Sequence, residues 1–149
     1  MTRSRVLFIS IVGLIILSSC KSYLIPVESF KEQFVNVDST KLKHVVVRGP
    51  YGEKYNYLAN PIELIRVVDK HGNNTELVNS PSIEIRFTYL ENNRTKRTIY
   101  YFDRVCLHDQ FVTGVRSRFI PTLVRTIPIE SIQKIEIQDG KKKFSYVEK

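Results

Sequence analysis

Residues 82–89 read Ser-Ile-Glu-Ile-Arg-Phe-Thr-Tyr, and this stretch constrains the fold more than any other. Ile83, Ile85, Phe87 and Tyr89 fall on one side, and Ser82, Glu84, Arg86 and Thr88 on the other. A period of two places alternate side chains on opposite faces of a strand, so one face meets a core and the other meets water. Glu91-Asn-Asn-Arg94 then reads as a loop, with 95–102 returning as the second arm of a long hairpin.

The same grammar recurs along the chain. The β-branched run 43–48 ends at the turn signal Gly49-Pro50-Tyr51-Gly52, and 54–58 returns. Stretch 62–68 leads through Lys70-His-Gly-Asn73 to 75–78. Further strands are expected at 105–107, 111–119, 123–127 and 135–137. Pro128 to Ile132 reads as a helical turn at a corner, and Asp139-Gly140 as a tight turn before a closing strand at 143–147. Short strands with regularly spaced turns define an all-β class. The expectation is about nine or ten short strands in an antiparallel, partly closed barrel or two-layer sandwich. One short N-terminal helix should join them, at 28–35, because Phe30 and Phe34 are four apart and share a face. It would close one end of the domain, with docking on a membrane surface as the alternative.

The start of the chain follows a different pattern. Arg3 and Arg5 precede an apolar run from Val6 to Leu17. About 20 apolar residues are needed to cross a bilayer, so this run has the length of a signal-peptide core instead. Leu17-Ser18-Ser19-Cys20 follows and resembles the lipobox of bacterial lipoproteins. The resemblance implies a diacylglyceryl thioether on the Cys20 sulfur, and cleavage before Cys20 by signal peptidase II, which would recognise Leu17, Ser18 and Ser19. Each buried CH₂ contributes about 0.8 kcal/mol, so two or three acyl chains hold a protein durably. In enteric bacteria an Asp after that cysteine favours the inner membrane; Lys21 departs from that signal and points to the outer membrane. Together with the ending 126–146, TIPIESIQKIEIQDGKKKFSY, the lipobox resembles small uncharacterised envelope lipoproteins of Bacteroidota. This resemblance implies a compartment and a fold rather than an activity.

The organisation expected is a signal peptide at 1–19, a lipidated cysteine and short tether at 20–27, and one β-rich domain at 28–149. Removing Arg3 and Arg5 from 23 basic residues leaves 21 against 15 acids, a net charge near +6. With Cys20 committed to lipid, Cys106 has no partner for an intramolecular disulfide.

Chemistry-bearing residues are sparse. Cys106 and His108 would share a face if their strand continued, and a thiolate–imidazole pair is a nucleophile, so these two are the candidates for a hydrolase or transferase. No obvious orienting group or oxyanion hole accompanies them. His44, His71 and His108 are scattered singles without metal-ligand spacing, and no metal or cofactor beyond the lipid at Cys20 is expected. Glu63, Asp69, Glu84 and Asp103 read as solvated acids. The basic residues crowd the second half: Arg94, Lys96, Arg97, Arg104, Arg116, Arg118 and Arg125, then Lys141, Lys142 and Lys143. In an exported protein this argues against nucleic acid and for anionic lipid headgroups or acidic glycans. A solvated face of mixed charge is the plainer reading. The function expected is that of a membrane-anchored envelope lipoprotein with a non-catalytic binding or scaffolding domain, whose partner is an envelope protein or an anionic glycan or lipid. An electrostatic adaptor and an enzyme built on Cys106 and His108 are the alternatives.

Overall fold

A computed structural model describes residues 21–147; the lipobox residues and Cys20 lie outside the described residues. The chain is mostly antiparallel β-structure with one α-helix, in agreement with the expected class.

The largest unit is a six-stranded sheet. Its members are β1 (Ser22–Leu24), β4 (Leu64–Val68), β5 (Asn74–Val78), β6 (Ile83–Glu91), β7 (Arg94–Tyr101) and β11 (Ile132–Asp139), in the spatial order β5-β4-β1-β11-β6-β7. A three-stranded sheet is formed by β2 (Lys43–Arg48), β3 (Lys54–Ala59) and β12 (Ser145–Tyr146), in the order β12-β2-β3. Another is formed by β8 (Cys106–His108), β9 (Phe111–Val115) and β10 (Val124–Pro128), in the order β10-β9-β8.

β6 is the spine of the molecule. Its alternation places Ile83, Ile85, Phe87 and Tyr89 in the core, while Glu84, Arg86 and Thr88 remain part-exposed. Asn92 and Asn93 both adopt positive φ, which is the type I′ geometry that matches strand twist in a two-residue hairpin. The helix α1 (Val27–Phe34) forms where expected. Phe30 and Phe34 are fully buried and stack with centroids 4.4 Å apart. Phe30 meets Phe87 edge-on and Phe34 meets Phe102 edge-on. The apolar face of α1 is therefore spent on the core. Gly114 in β9 is required by a close approach: a Cβ there would stand 2.6 Å from the Tyr100 ring.

The structure differs from the sequence reading at both ends of the described chain. Residues 22–24, expected in a tether, form β1 between β11 and β4, with Tyr23 opposite Ile137 and Leu24 opposite Val68. Ile25 follows into the core and its N–H donates to Ile135 O at 3.0 Å. Three residues carry too little pattern to announce a strand, and two ready-made neighbours supply its hydrogen bonds. At the other end, Asp139-Gly140 does not turn β11 back on itself. Lys141 takes the positive φ, its N–H donating to the Asp139 carboxylate, and the chain crosses to pair β12 with β2. The expected strand 111–119 stops at Val115, because Arg118 turns into the interior.

One ion-pair group ties the hairpin end of β6 to β10. Glu91 accepts from Lys96 and, at 3.0 Å, from Arg125. The Lys96 hydrogen bond, assisted by Arg125 against partial desolvation, holds the Glu91 carboxyl below its ordinary value. A lowered carboxyl pKa contributes stability above the unfolded-state value, and this is lost as pH falls through the folded value. The melting temperature of the wild type should exceed that of Glu91→Gln at pH 6. The gap should close as pH drops below about 4.5, the ordinary glutamate value. A gap that persists at pH 3 would mean that the carboxylate charge is not what holds β6 to β10.

Candidate functional site

Two polar arrangements stand out, one sealed and one open. The sealed one surrounds Asp103, in the 3₁₀ turn Phe102–Arg104 that follows β7. Its side chain is fully buried, as is that of Arg118, and the two approach to 3.6 Å. The Arg118 guanidinium donates to the Tyr57 hydroxyl and to the Pro81 carbonyl. The Tyr57 hydroxyl donates in turn to the Asp103 carboxylate, which also accepts from Tyr146 at 3.1 Å. The guanidinium lies 3.8 Å from the Tyr101 ring centroid, a cation–π contact strengthened by burial. Asn60 completes the joint by donating to the carbonyls of Phe102 and Val105.

Burial pushes the Asp103 carboxyl up, against the opposing pull of Arg118 and of the two hydroxyls. Burial and the Asp103 charge push the Tyr57 and Tyr146 phenols up, so both act as hydrogen-bond donors and not as bases. The chemistry of this cluster is that of a clamp. Tyr57 on β3 and Tyr146 on β12 bring the small sheet to the turn after β7.

Two sequence expectations are corrected here. Asp103, read as a solvated acid, is wholly buried, and Arg118, read among the surface cations for anions, is 5% exposed and faces the interior. Sequence alternation fails at 101–104 because the strand gives way to a 3₁₀ turn there, which rotates Asp103 inward. The only hint was an acid next to Tyr100, Tyr101 and Phe102.

The open arrangement is a groove of about 520 Å³ beside the free edge of β7. Arg86 from β6, Arg97 from β7, Arg116 from the segment after β9 and Lys142 from the β11–β12 crossing line it, with Glu84 among them. Lys142 pairs with Glu84 at 2.7 Å, and Arg86 stands 4.0 Å from Glu136. Arg97 and Arg116 are exposed and form no ion pair among the described residues. Thus three expected anion-binding residues, Arg97, Arg116 and Lys142, converge, and Arg86 joins them. Lys96 is committed to Glu91. Arg94, Lys141 and Lys143 are exposed and do not line the groove. Arg104 is half-buried over the Tyr57 ring, and Arg125 pairs with Glu91.

Cys106 and His108 both lie on β8, the thiol part-buried and the imidazole exposed. Burial and the charge of Asp38 push the Cys106 thiol up, which opposes thiolate formation. The His108 Nε2 instead stands 3.3 Å from the carboxylate of Asp109 in the hairpin turn. Among the described residues no three His, Cys, Asp or Glu side chains gather as a metal site, and no helix is long and apolar enough to cross a membrane. Compared with known proteins, the chain matches no family model, no curated protein and no solved structure.

Proposed function

We propose that this chain is a lipid-anchored lipoprotein of the bacterial envelope, in the outer membrane, whose β-domain binds an anionic glycan and does not catalyse a reaction. The anchor rests on the lipobox-like Leu17-Ser18-Ser19-Cys20. The observation that carries the binding reading is the groove beside β7, where Arg97 and Arg116 face solvent with no carboxylate partner among the described residues. A guanidinium offers a planar fork of donors that fits a carboxylate or sulfate, and two such groups in one open groove suit a repeating acidic chain. The groove is shallow and open to bulk water, so affinity is modest and sensitive to salt.

Heparin serves as a model acidic polysaccharide. The mature protein should bind it at low ionic strength, measured by titration calorimetry, and Arg97→Ala/Arg116→Ala should weaken binding about tenfold or more, the worth of one or two charge-assisted hydrogen bonds. Binding unaffected by the double substitution, or unchanged between 50 mM and 500 mM NaCl, would remove this reading. The anchor is checked separately, by the mass of the first residue of the mature protein.

A further inference from the structure

We propose that the end of the molecule where the chain enters the large sheet is a membrane-facing surface that settles on anionic lipid headgroups. The proposal rests on the lipid-anchor reading and adds to it an orientation and a headgroup class. Because β1 begins at Ser22, opposite Gln138 of β11, only Lys21 separates Cys20 from the sheet. One residue spans about 3.8 Å. An acylated Cys20 would therefore hold this end, and no other, against the bilayer.

Register shows what else is there. β4 runs antiparallel to β1 and ends at Val68 opposite Leu24, so its turn carrying Lys70 projects beside Ser22; Ser22 and Lys70 line one shallow pocket. β11 ends at Asp139, and Lys141 and Lys143 follow at once. β12 then pairs Ser145 with Arg48, which brings Lys143 and Phe144 beside the β2–β3 turn and its tip, Tyr51. The Tyr55 ring meets both Phe144 and Phe119 edge-on.

Lys21, Lys70, Lys141 and Lys143 are exposed and make no ion pair among the described residues. The acids at this end are already engaged: Asp69 by the N–H groups of His71 and Asn73, Asp139 by that of Lys141, Glu84 by Lys142, and Glu53 by the Tyr51 N–H and the Tyr55 hydroxyl. Tyr51 is 95% exposed and Phe119 72% exposed, on the same flank. Lysines around projecting aromatic side chains match a bilayer interface, where rings sit at headgroup depth and nearby cations are drawn to anionic lipid. At the far end of the sheet, β4 and β5 carry no lysine, and Lys96 of β7 and Lys134 of β11 are paired with Glu91 and Glu136, which leaves Arg94 as the exposed cation there among the described residues.

The chain has no Trp, so a single introduced Trp reports one place. Lipidated Tyr51→Trp protein is reconstituted into vesicles of phosphatidylcholine with 30% phosphatidylglycerol and dibrominated phosphatidylcholine as quencher, and Val78→Trp serves as the far-end control. Quenching of Trp fluorescence at 51 should exceed that at 78 several-fold. It should fall by half or more in vesicles without phosphatidylglycerol, and likewise on adding Lys141→Glu/Lys143→Glu. Equal quenching at the two positions, or quenching indifferent to headgroup charge, overturns the proposal. The mass of the same preparation separates the two failures: an acylated Cys20 with unquenched Trp at 51 rejects the seating alone, whereas an unmodified Cys20 rejects the anchor and the seating together.

Discussion

Asp103→Ala is expected to destabilise the domain by about 3–5 kcal/mol, the cost of leaving a buried charge without its partner. The side chain it abandons is the Arg118 guanidinium, which has no exposed surface through which to rehydrate. Tyr57 and Tyr146 lose their acceptor in the same step. A domain of this size has a total stability of about 5–15 kcal/mol, so the variant should lose a large fraction of it. Urea unfolding should show a lower midpoint with an unchanged slope. Asp103→Asn keeps an acceptor for the hydroxyls and should lose less. Asp103→Leu/Arg118→Met removes both charges together and should recover most of the stability, because the desolvation of each is then avoided. If Asp103→Ala lowers the unfolding free energy by less than about 1 kcal/mol, the clamp between the small sheet and the β7 turn is not a stabilising element.

Phe34→Ala should have a comparable effect, about 3–5 kcal/mol, by opening a cavity between α1 and the large sheet. The ring has no solvent exposure and contacts Phe30 and Phe102. Val35, the next residue, is exposed, and Val35→Ala should change stability by less than about 0.5 kcal/mol. The pair of measurements separates the two roles open to this helix from its sequence. A helix that packs internally loses folding stability at Phe34. A helix that docks on a membrane would instead lose membrane affinity there and keep its melting temperature. The buried rings assign it to the first role.

The legible parts of the fold share one property: their signal is local and periodic. β6 announces its two faces residue by residue, and Asn92-Asn93 supplies the left-handed backbone that a two-residue hairpin needs. Phe30 and Phe34 define a helix face over a single turn. Where the signal is local but the outcome depends on a neighbour, the structure departs from the sequence pattern. Gly140 lies where a tight turn was expected. Its N–H bonds to the Ser82 carbonyl, and a Cβ there would stand 3.0 Å from that carbonyl oxygen and the Glu84 carboxyl. The chain beyond it leaves for the other sheet. The groove was half visible, as an excess of arginines and lysines between 94 and 143. Which of them converge could not be read, because Arg97, Arg116 and Lys142 come from three separate elements.

The sequence alone determined an antiparallel β-domain, its principal hairpins, the helix with its buried face, and the basic balance of the chain, because each follows from spacing within a dozen residues. Tertiary structure decided that Ser22–Leu24 is a strand, that β12 joins β2, and that Asp103 and Arg118 meet in the interior. Those outcomes depend on which distant segments find one another. A strand of two or three residues has too few hydrogen bonds to form without partners, and a buried charge is tolerable only where its counter-charge arrives from elsewhere in the chain.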